Sequence, residues 1–230
     1  AGRQTIWRWD PSWHTGTLVV RQFAHGGLLA GLWGTVFCSV RPMIRELRIA
    51  RHAIENDLFT ARPVALRIGR TFGPFFRAHY VTEEIPHALN LLEFCRQTTS
   101  CEVPPLHRQN LAETLAGSLA EMHDCGIEHG DLNLKNLLVV GENPPWSVAV
   151  IDFKNARLAD KVGLESGLCN LVRLDRSIQK WPASRRVIGL TDRLRALRKY
   201  VRLREGSDAD WKRVAHRIKT RHILHALSRK

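Results

Sequence analysis

His129-Gly130-Asp131-Leu132-Asn133-Leu134-Lys135-Asn136 decides the reading of this chain, together with Ile151-Asp152-Phe153, whose aspartate lies sixteen residues beyond Asn136. An aspartate and an asparagine stand five residues apart, and a second aspartate ends an apolar run. Phosphoryl transfer needs that set. One carboxylate accepts the proton of an attacking hydroxyl, while an amide oxygen and a second carboxylate hold the metal ions that bridge nucleotide phosphates. A lone His-x-Asp is common by chance; the full pattern with this gap is much rarer.

The surroundings agree with that chemistry. Leu111, Leu115, Leu119 and Met122 recur at helical spacing between Leu106 and Cys125, and Gly126 follows as a stop. Leu137-Leu138-Val139-Val140 and Val148-Ala149-Val150-Ile151 flank Gly141-Glu142-Asn143-Pro144-Pro145 and read as a hairpin. Asp131 and Asn136 therefore sit on a loop between a helix and a hairpin, and Asp152 leaves the second strand. The expected fold class is α+β: a two-lobed, protein-kinase-like fold with a small, mainly antiparallel sheet lobe and a larger, mainly helical lobe. The alternative is that Asp131 caps a turn and Asp152 merely ends a strand.

At 230 residues the chain has room for two lobes, though it is short for a complete kinase fold. It begins at Ala1, as a fragment or a processed product would. No stretch approaches the roughly 18–20 apolar residues of a membrane span, and no secretory signal opens the chain. Cys38, Cys95, Cys101, Cys125 and Cys169 are odd in number, lack metal-ligand spacing and read as reduced thiols.

Charge is unevenly placed. Residues 170–230 hold 18 Lys and Arg against 5 Asp and Glu, so the whole formal charge of +13 lies there and residues 1–169 are balanced. Arg193 to Arg204 sets leucines every three or four positions between basic residues, and Asp208 to Leu227 repeats the idea with Trp211, Val214, Ile218, Ile223 and Leu227. Such basic amphipathic helices suit a polyanionic partner such as a phospholipid surface; they also suit terminal helices whose apolar face is core. Both together is the expectation for residues 185–230. No nucleic-acid module is recognisable beyond charge, so nucleic acid ranks low as a partner.

In the first part, Thr17 to Phe23 alternates as a strand, with the Trp7–Trp9 stretch before it as its hairpin partner. Gly2-Arg3-Gln4 is all that remains of a phosphate-covering glycine turn, and His25-Gly26-Gly27 makes a turn after the strand. Arg41 to Leu58 predicts a helix with Pro42 in its first turn and Ile44, Leu47, Ile54 and Leu58 on one face. Arg21 on the strand could offer its charge to nucleotide phosphates with Glu46 of the helix orienting it. Equally, Arg21 could form a structural ion pair and Glu46 could face solvent. Val64–Ile68 and Phe76–Thr82 predict two more strands, Glu83-Glu84-Ile85-Pro86 a hinge meeting the adenine, and Ala88–Arg96 the start of the helical lobe, with Leu89, Leu92 and Phe94 or Cys95 inward. The lobes are expected to divide near residue 84, as 1–84 and 85–230. His129 reads as a structural loop residue, Lys135 either as a cation near the transferred phosphoryl group or as a solvent-facing lysine, and Asp175 as a partner for arginines in its own helix.

These residues carry a resemblance. Val20 to Leu28, Arg45-Glu46-Leu47, His129 to Asn136, Ile151 to Arg157 and Asn170 to Ser177 resemble the bacterial lipopolysaccharide kinases, and within them the 3-deoxy-D-manno-octulosonic acid (Kdo) kinases. The resemblance runs from about residue 2 to 181. It implies ATP with Mg2+ and phosphorylation of a sugar hydroxyl on a lipid A precursor, by a protein peripheral to the cytoplasmic face of the inner membrane. It further implies Asp131 as base, Asn136 and Asp152 as metal ligands, and Arg21 with Glu46 as the phosphate-orienting pair; Lys135 on the loop and Glu84 in the hinge are site candidates from the residues alone. The family often has histidine at the position of Lys135 and an acidic residue at that of Lys154. Two other readings stay open: a heptose kinase of the same superfamily, and a weakly active kinase-like scaffold that binds anionic membranes.

Overall fold

A computed structural model of the chain describes residues 6–24, 34–98, 103–206 and 211–216. The turns expected at Gly2-Arg3-Gln4 and His25-Gly26-Gly27, together with Cys101, Ile218, Ile223 and Leu227, lie outside the described residues. The first unit is an antiparallel sheet in the order β1-β2-β4-β3, built from β1 (Ile6–Trp9), β2 (Leu18–Gln22), β3 (Pro63–Arg70) and β4 (Phe76–Glu83). Register sets Arg21 opposite Ile6 and Tyr80, and Val19 opposite Arg8 and Thr82. Because side chains alternate, Arg21, Tyr80 and Val19 share one face and Trp7, Trp9, Val20 and Val81 the other.

Helix α1 (Arg41–Glu55) starts with Pro42 in its first turn, as expected, but it buries a different face. Met43, Glu46, Ile49, Ala50 and Ala53 are inward, while Ile44, Leu47 and Ile54 are half-buried. Counting large aliphatics misplaced the stripe, because two alanines and a carboxylate carry its close-packed part. Leu58 is buried beyond the helix end, its N–H bonded to Ala53 O (2.9 Å). His52 donates from Nε2 to Cys125 O (2.8 Å), which ties α1 to the helical body.

Ala88–Asn90 was expected to open a helix and instead forms β5, paired with β7 (Leu137–Val140). Helix α2 (Leu91–Gln97) begins only after it, where Asn90 Oδ1 accepts the Glu93 N–H (3.0 Å). The cap stops the helix from extending backwards, and Leu89 is consequently exposed rather than inward. Helix α3 (Pro105–Asp124) buries Leu111, Leu115, Leu119 and Met122 as the spacing predicts. The expected hairpin is β7 with β8 (Ser147–Val150), and β6 (Ile127–Glu128) pairs with β9 (Arg157–Leu158). Helices α4 (Leu164–Lys180), α5 (Pro182–Val187) and α6 (Leu190–Glu205) follow, and residues 211–216 are helical as well.

Helix α6 is core on its inner side, with Leu197, Tyr200 and Val201 buried. The Tyr200 hydroxyl meets His123 Nδ1 of α3 at 2.7 Å. Gly167 of α4 makes room for it, since a Cβ there would lie 2.2 Å from that hydroxyl. Asp175 pairs with Arg193 of α6 (2.6 Å). No described helix is long and apolar enough to cross a membrane, and Cys38, Cys95 and Cys125 are free thiols.

Candidate active site

The loop after β6 is built around His129, which is fully buried. Its backbone N–H goes to Asn170 Oδ1 (3.0 Å), and Nδ1 accepts the Asp131 N–H (3.1 Å). A ring nitrogen that accepts carries no proton, so Nε2 is the protonated one and donates to Ile151 O (3.1 Å). Burial pushes the His129 pKa below its ordinary value and keeps the ring neutral. His129 is thus a strut between the Asp131 loop and the strand exit that delivers Asp152. Gly130 is required beside it: a Cβ there would stand 2.0 Å from Asn155 O. The Arg173 guanidinium donates to Gly130 O from α4.

The turn Leu134–Asn136 is capped by Asn133, whose Oδ1 accepts the Lys135 N–H (2.9 Å). Asn136 is buried and spends its Nδ2 on Asp131 O (2.8 Å), which leaves Oδ1 as the free end of the amide. The Ile151 N–H bonds to Asn136 O (2.9 Å), so Asp131, Asn136 and the approach to Asp152 form one hydrogen-bonded unit. Asp131 is exposed. Lys135 is exposed on the same turn.

Asp152 adopts φ 66, ψ 68, a left-handed conformation that costs a non-glycine residue on the order of 1 kcal/mol. Phe153, buried and 5.8 Å from the His129 ring, over-determines that turn from beneath. Arg21 reaches Asp152 Oδ1 (3.5 Å) and forms a tight ion pair with Glu46 Oε1. Its guanidinium lies 5.1 Å from the Phe23 ring and 5.5 Å from that of Tyr80. Glu46 is only 1% exposed, so it is not a surface residue of α1. Burial raises its pKa from 4.5 to about 7, outweighing the opposing pull of Arg21. Glu46 Oε2 and the Tyr80 hydroxyl are buried without a hydrogen-bond partner.

The structure thus brings Arg21, Glu46 and Asp152 into direct contact and Asp131 and Asn136 into one loop unit. Glu84 stands apart: it ion-pairs with Arg8 (2.7 Å) and its N–H bonds to Thr17 O (2.9 Å) where β4 ends. Sequence reasoning noted Lys154 only as an added charge. Lys154 Nζ donates to Ala24 O (2.5 Å), and Arg45 of α1 donates to Lys154 O (3.2 Å). The turn after Asp152 is therefore fastened to the end of β2 and to α1. Tyr80 was also missed, because nothing in a strand sequence tells which strand will face the site.

Among the described residues no three His, Cys, Asp or Glu side chains are grouped to hold a metal by themselves. The Asn136 amide oxygen and the Asp152 carboxylate are hard oxygen donors, too few for a closed cage. That set would suit a magnesium ion, a hard cation that needs few protein ligands.

The chain is similar to several known proteins. The model of the lipopolysaccharide kinase (Kdo/WaaP) family matches residues 33–218. A 3-deoxy-D-manno-octulosonic acid kinase of Vibrio cholerae is 26% identical over 184 residues, covering 78% of this chain and 72% of that protein. Its counterpart in Stenotrophomonas maltophilia is 28% identical over 218 residues, 92% of this chain and 78% of that protein. A solved structure described as "WaaP in complex with acyl carrier protein" superposes with a TM-score of 0.65 at 20% identity, covering 95% of this chain and 83% of that one. The fold is protein-kinase-like α+β, and the chain is a kinase that belongs to the lipopolysaccharide kinase (Kdo/WaaP) family.

Proposed function

We propose that this kinase transfers the terminal phosphoryl group of ATP to a sugar hydroxyl, that of Kdo, on a lipid A precursor. The observation that carries the reading is the linked pair of units described above: the Asp131–Asn136 loop joined through Ile151 to Asp152, and Asp152 joined through Arg21 to Glu46. The named relatives supply the acceptor class. In this reading Asp131 takes the hydroxyl proton as its oxygen attacks. Asn136 Oδ1 and Asp152 would hold Mg2+, which would supply neutralisation of the charge on the phosphates. Arg21, oriented by Glu46, contacts the phosphates as a charge, and its planar fork is steadied by Phe23 and Tyr80. The residues before and after about 84 act as two lobes, with Glu84 at the linker beside the adenine. Lys135 adds positive charge on the exposed side of the loop, where an anionic acceptor approaches.

Residues 185–230 are proposed to meet the anionic inner-membrane surface, placing the enzyme at the cytoplasmic face. Their charge is partly spent internally: Arg193 pairs with Asp175, Arg195 with Asp192 and Arg204 with Asp124. Arg185, Arg186, Arg202 and Lys212 are exposed and available to lipid.

The test is label transfer from ATP in the presence of Mg2+ to a Kdo-bearing lipid A precursor, with Asp131→Ala as control. The variant should lose about 10²–10⁴-fold in kcat while still binding nucleotide. Absence of transfer to Kdo rejects the acceptor, and transfer to core heptose instead reassigns it within the family. Equal activity of wild type and variant rejects Asp131 as base.

A further inference from the structure

The face of the sheet turned away from Arg21 is not used by the reaction, and its composition is unusual for a surface. Register places Trp7 opposite Val20 and Trp9 opposite Leu18, on that outer face. Trp7 and Trp9 are 44% and 46% exposed, and Trp13, in the turn after β1, is 64% exposed. The Trp9 and Trp13 rings meet edge-on with centroids 5.6 Å apart, and Trp7 lies 6.3 Å from His79. Arg67 sits opposite His79 and Arg77 opposite Gly69, so both arginines share the outer face, and both are exposed. The carboxylate on this face, Glu83, is within 4.0 Å of His14 and 3.8 Å of Arg62.

Three indoles held open to solvent on the same sheet face as two guanidinium groups are costly on a surface with no partner. Indole is amphipathic and favours the headgroup layer of a bilayer, where its ring is half-desolvated and its N–H finds acceptors. Guanidinium groups beside it match phosphate oxygens in charge and geometry. A flat sheet face offers this area at once, without a helix that must fold on contact.

We propose that the outer sheet face, with Trp7, Trp9 and Trp13 as interfacial anchors flanked by Arg67 and Arg77, docks on an anionic phospholipid surface. The purpose of the contact rests on the glycolipid reading above. A membrane-embedded acceptor is reached reproducibly only if the kinase cannot pivot. A second point of attachment on the sheet, besides the basic helices of the other lobe, removes that freedom.

Binding is measured with the full chain and no ATP or acceptor, on vesicles of phosphatidylethanolamine containing phosphatidylglycerol. Wild type should sediment with them, and its tryptophan emission should shift blue and be quenched by phospholipid with brominated acyl chains. Trp7→Ala/Trp9→Ala/Trp13→Ala should weaken partitioning roughly tenfold or more and remove most of the quenching. Arg67→Glu/Arg77→Glu, which leaves the indoles in place, should weaken it by a similar factor and flatten the salt dependence. Both variants should keep phosphoryl transfer to detergent-dispersed acceptor. The proposal is overturned if both variants partition like wild type, if wild-type emission ignores the brominated lipid, or if neutral phosphatidylcholine vesicles bind equally well. It is also overturned if light scattering shows a dimer that the triple tryptophan variant abolishes, because a second copy would then be the occupant. Vesicle binding as expected without phosphorylated acceptor would reject the acceptor and leave the surface standing. Transfer without the expected binding would do the reverse.

Discussion

Replacing Glu46 by glutamine isolates a carboxylate that the fold buries beside its own cation. Glu46 is 1% exposed, and its pKa is raised from 4.5 to about 7, chiefly by burial. A carboxyl that binds its proton more tightly in the folded state favours folding at low pH. That advantage is complete below 4.5, fades as pH rises towards 7, and is gone above it. The interval is worth on the order of 3 kcal/mol. The substituted amide would keep an acceptor for Arg21 and would not titrate. Stability of Glu46→Gln minus that of wild type should therefore be small at pH 5 and grow by about 3 kcal/mol in favour of the variant by pH 8. Urea unfolding of both proteins at several pH values measures it. The difference is what must be read, because buried His123, lowered to about 4, tilts the absolute curves the opposite way between about pH 4 and 6.5, and His129, lowered by burial, tilts them in the same sense as His123. Over the same range kcat/KM for ATP should fall for the variant, since Arg21 loses the charge that orients it. A stability difference that stays flat from pH 5 to 8 refutes the buried, proton-binding Glu46.

Gly130→Ala puts a Cβ where Asn155 O already stands, 2.0 Å away, so the Asp131 loop and the turn after Asp152 must separate. We expect about 1–3 kcal/mol lost in thermal unfolding and activity reduced far more than that loss explains. At the left-handed position 152, Asp152→Gly should be about 1 kcal/mol more stable than Asp152→Ala, while both lose activity; equal stabilities would mean that the backbone there is not held left-handed. Asp152→Asn, which tolerates the same backbone, should raise the Mg2+ concentration needed for half-maximal activity, and an unchanged Mg2+ titration would count against Asp152 as a metal ligand. Lys154→Met removes the bond to Ala24 O and should raise KM for ATP more than it lowers kcat, as expected of a residue that positions the Asp152 turn against β2.

The parts of the site that were legible in sequence are those made by neighbours. His129, Asp131, Asn136 and Asp152 are set by a loop and a hairpin of fixed length, so their spacing alone foretells the unit. Contacts between distant segments were not legible. Nothing in sequence says that Lys154 will reach Ala24, 130 residues away, or that Tyr80 rather than Val81 will face Arg21. In α1 the inward face was misjudged because burial there follows Ala50, Ala53 and Glu46, which hydrophobicity counting ignores or penalises. Ala88–Asn90 was misread for a related reason. Three residues are too few to show a period, and pairing with Val140, Val139 and Leu138 is decided by a strand far along the chain.

The joint between α6 and the helical body limits how its outer arginines can work. Tyr200 is sealed against His123, and Arg204 is turned inward onto Asp124 and Val162 O. Lifting the helix would strip Leu197, Tyr200 and Val201 of their packing. The His123 ring, titrating near 4, gives acidification no purchase on the joint under physiological conditions. Arg202 therefore belongs to a handle welded to the frame, not to a hook on a tether. Any anion it grips turns the whole catalytic body with it.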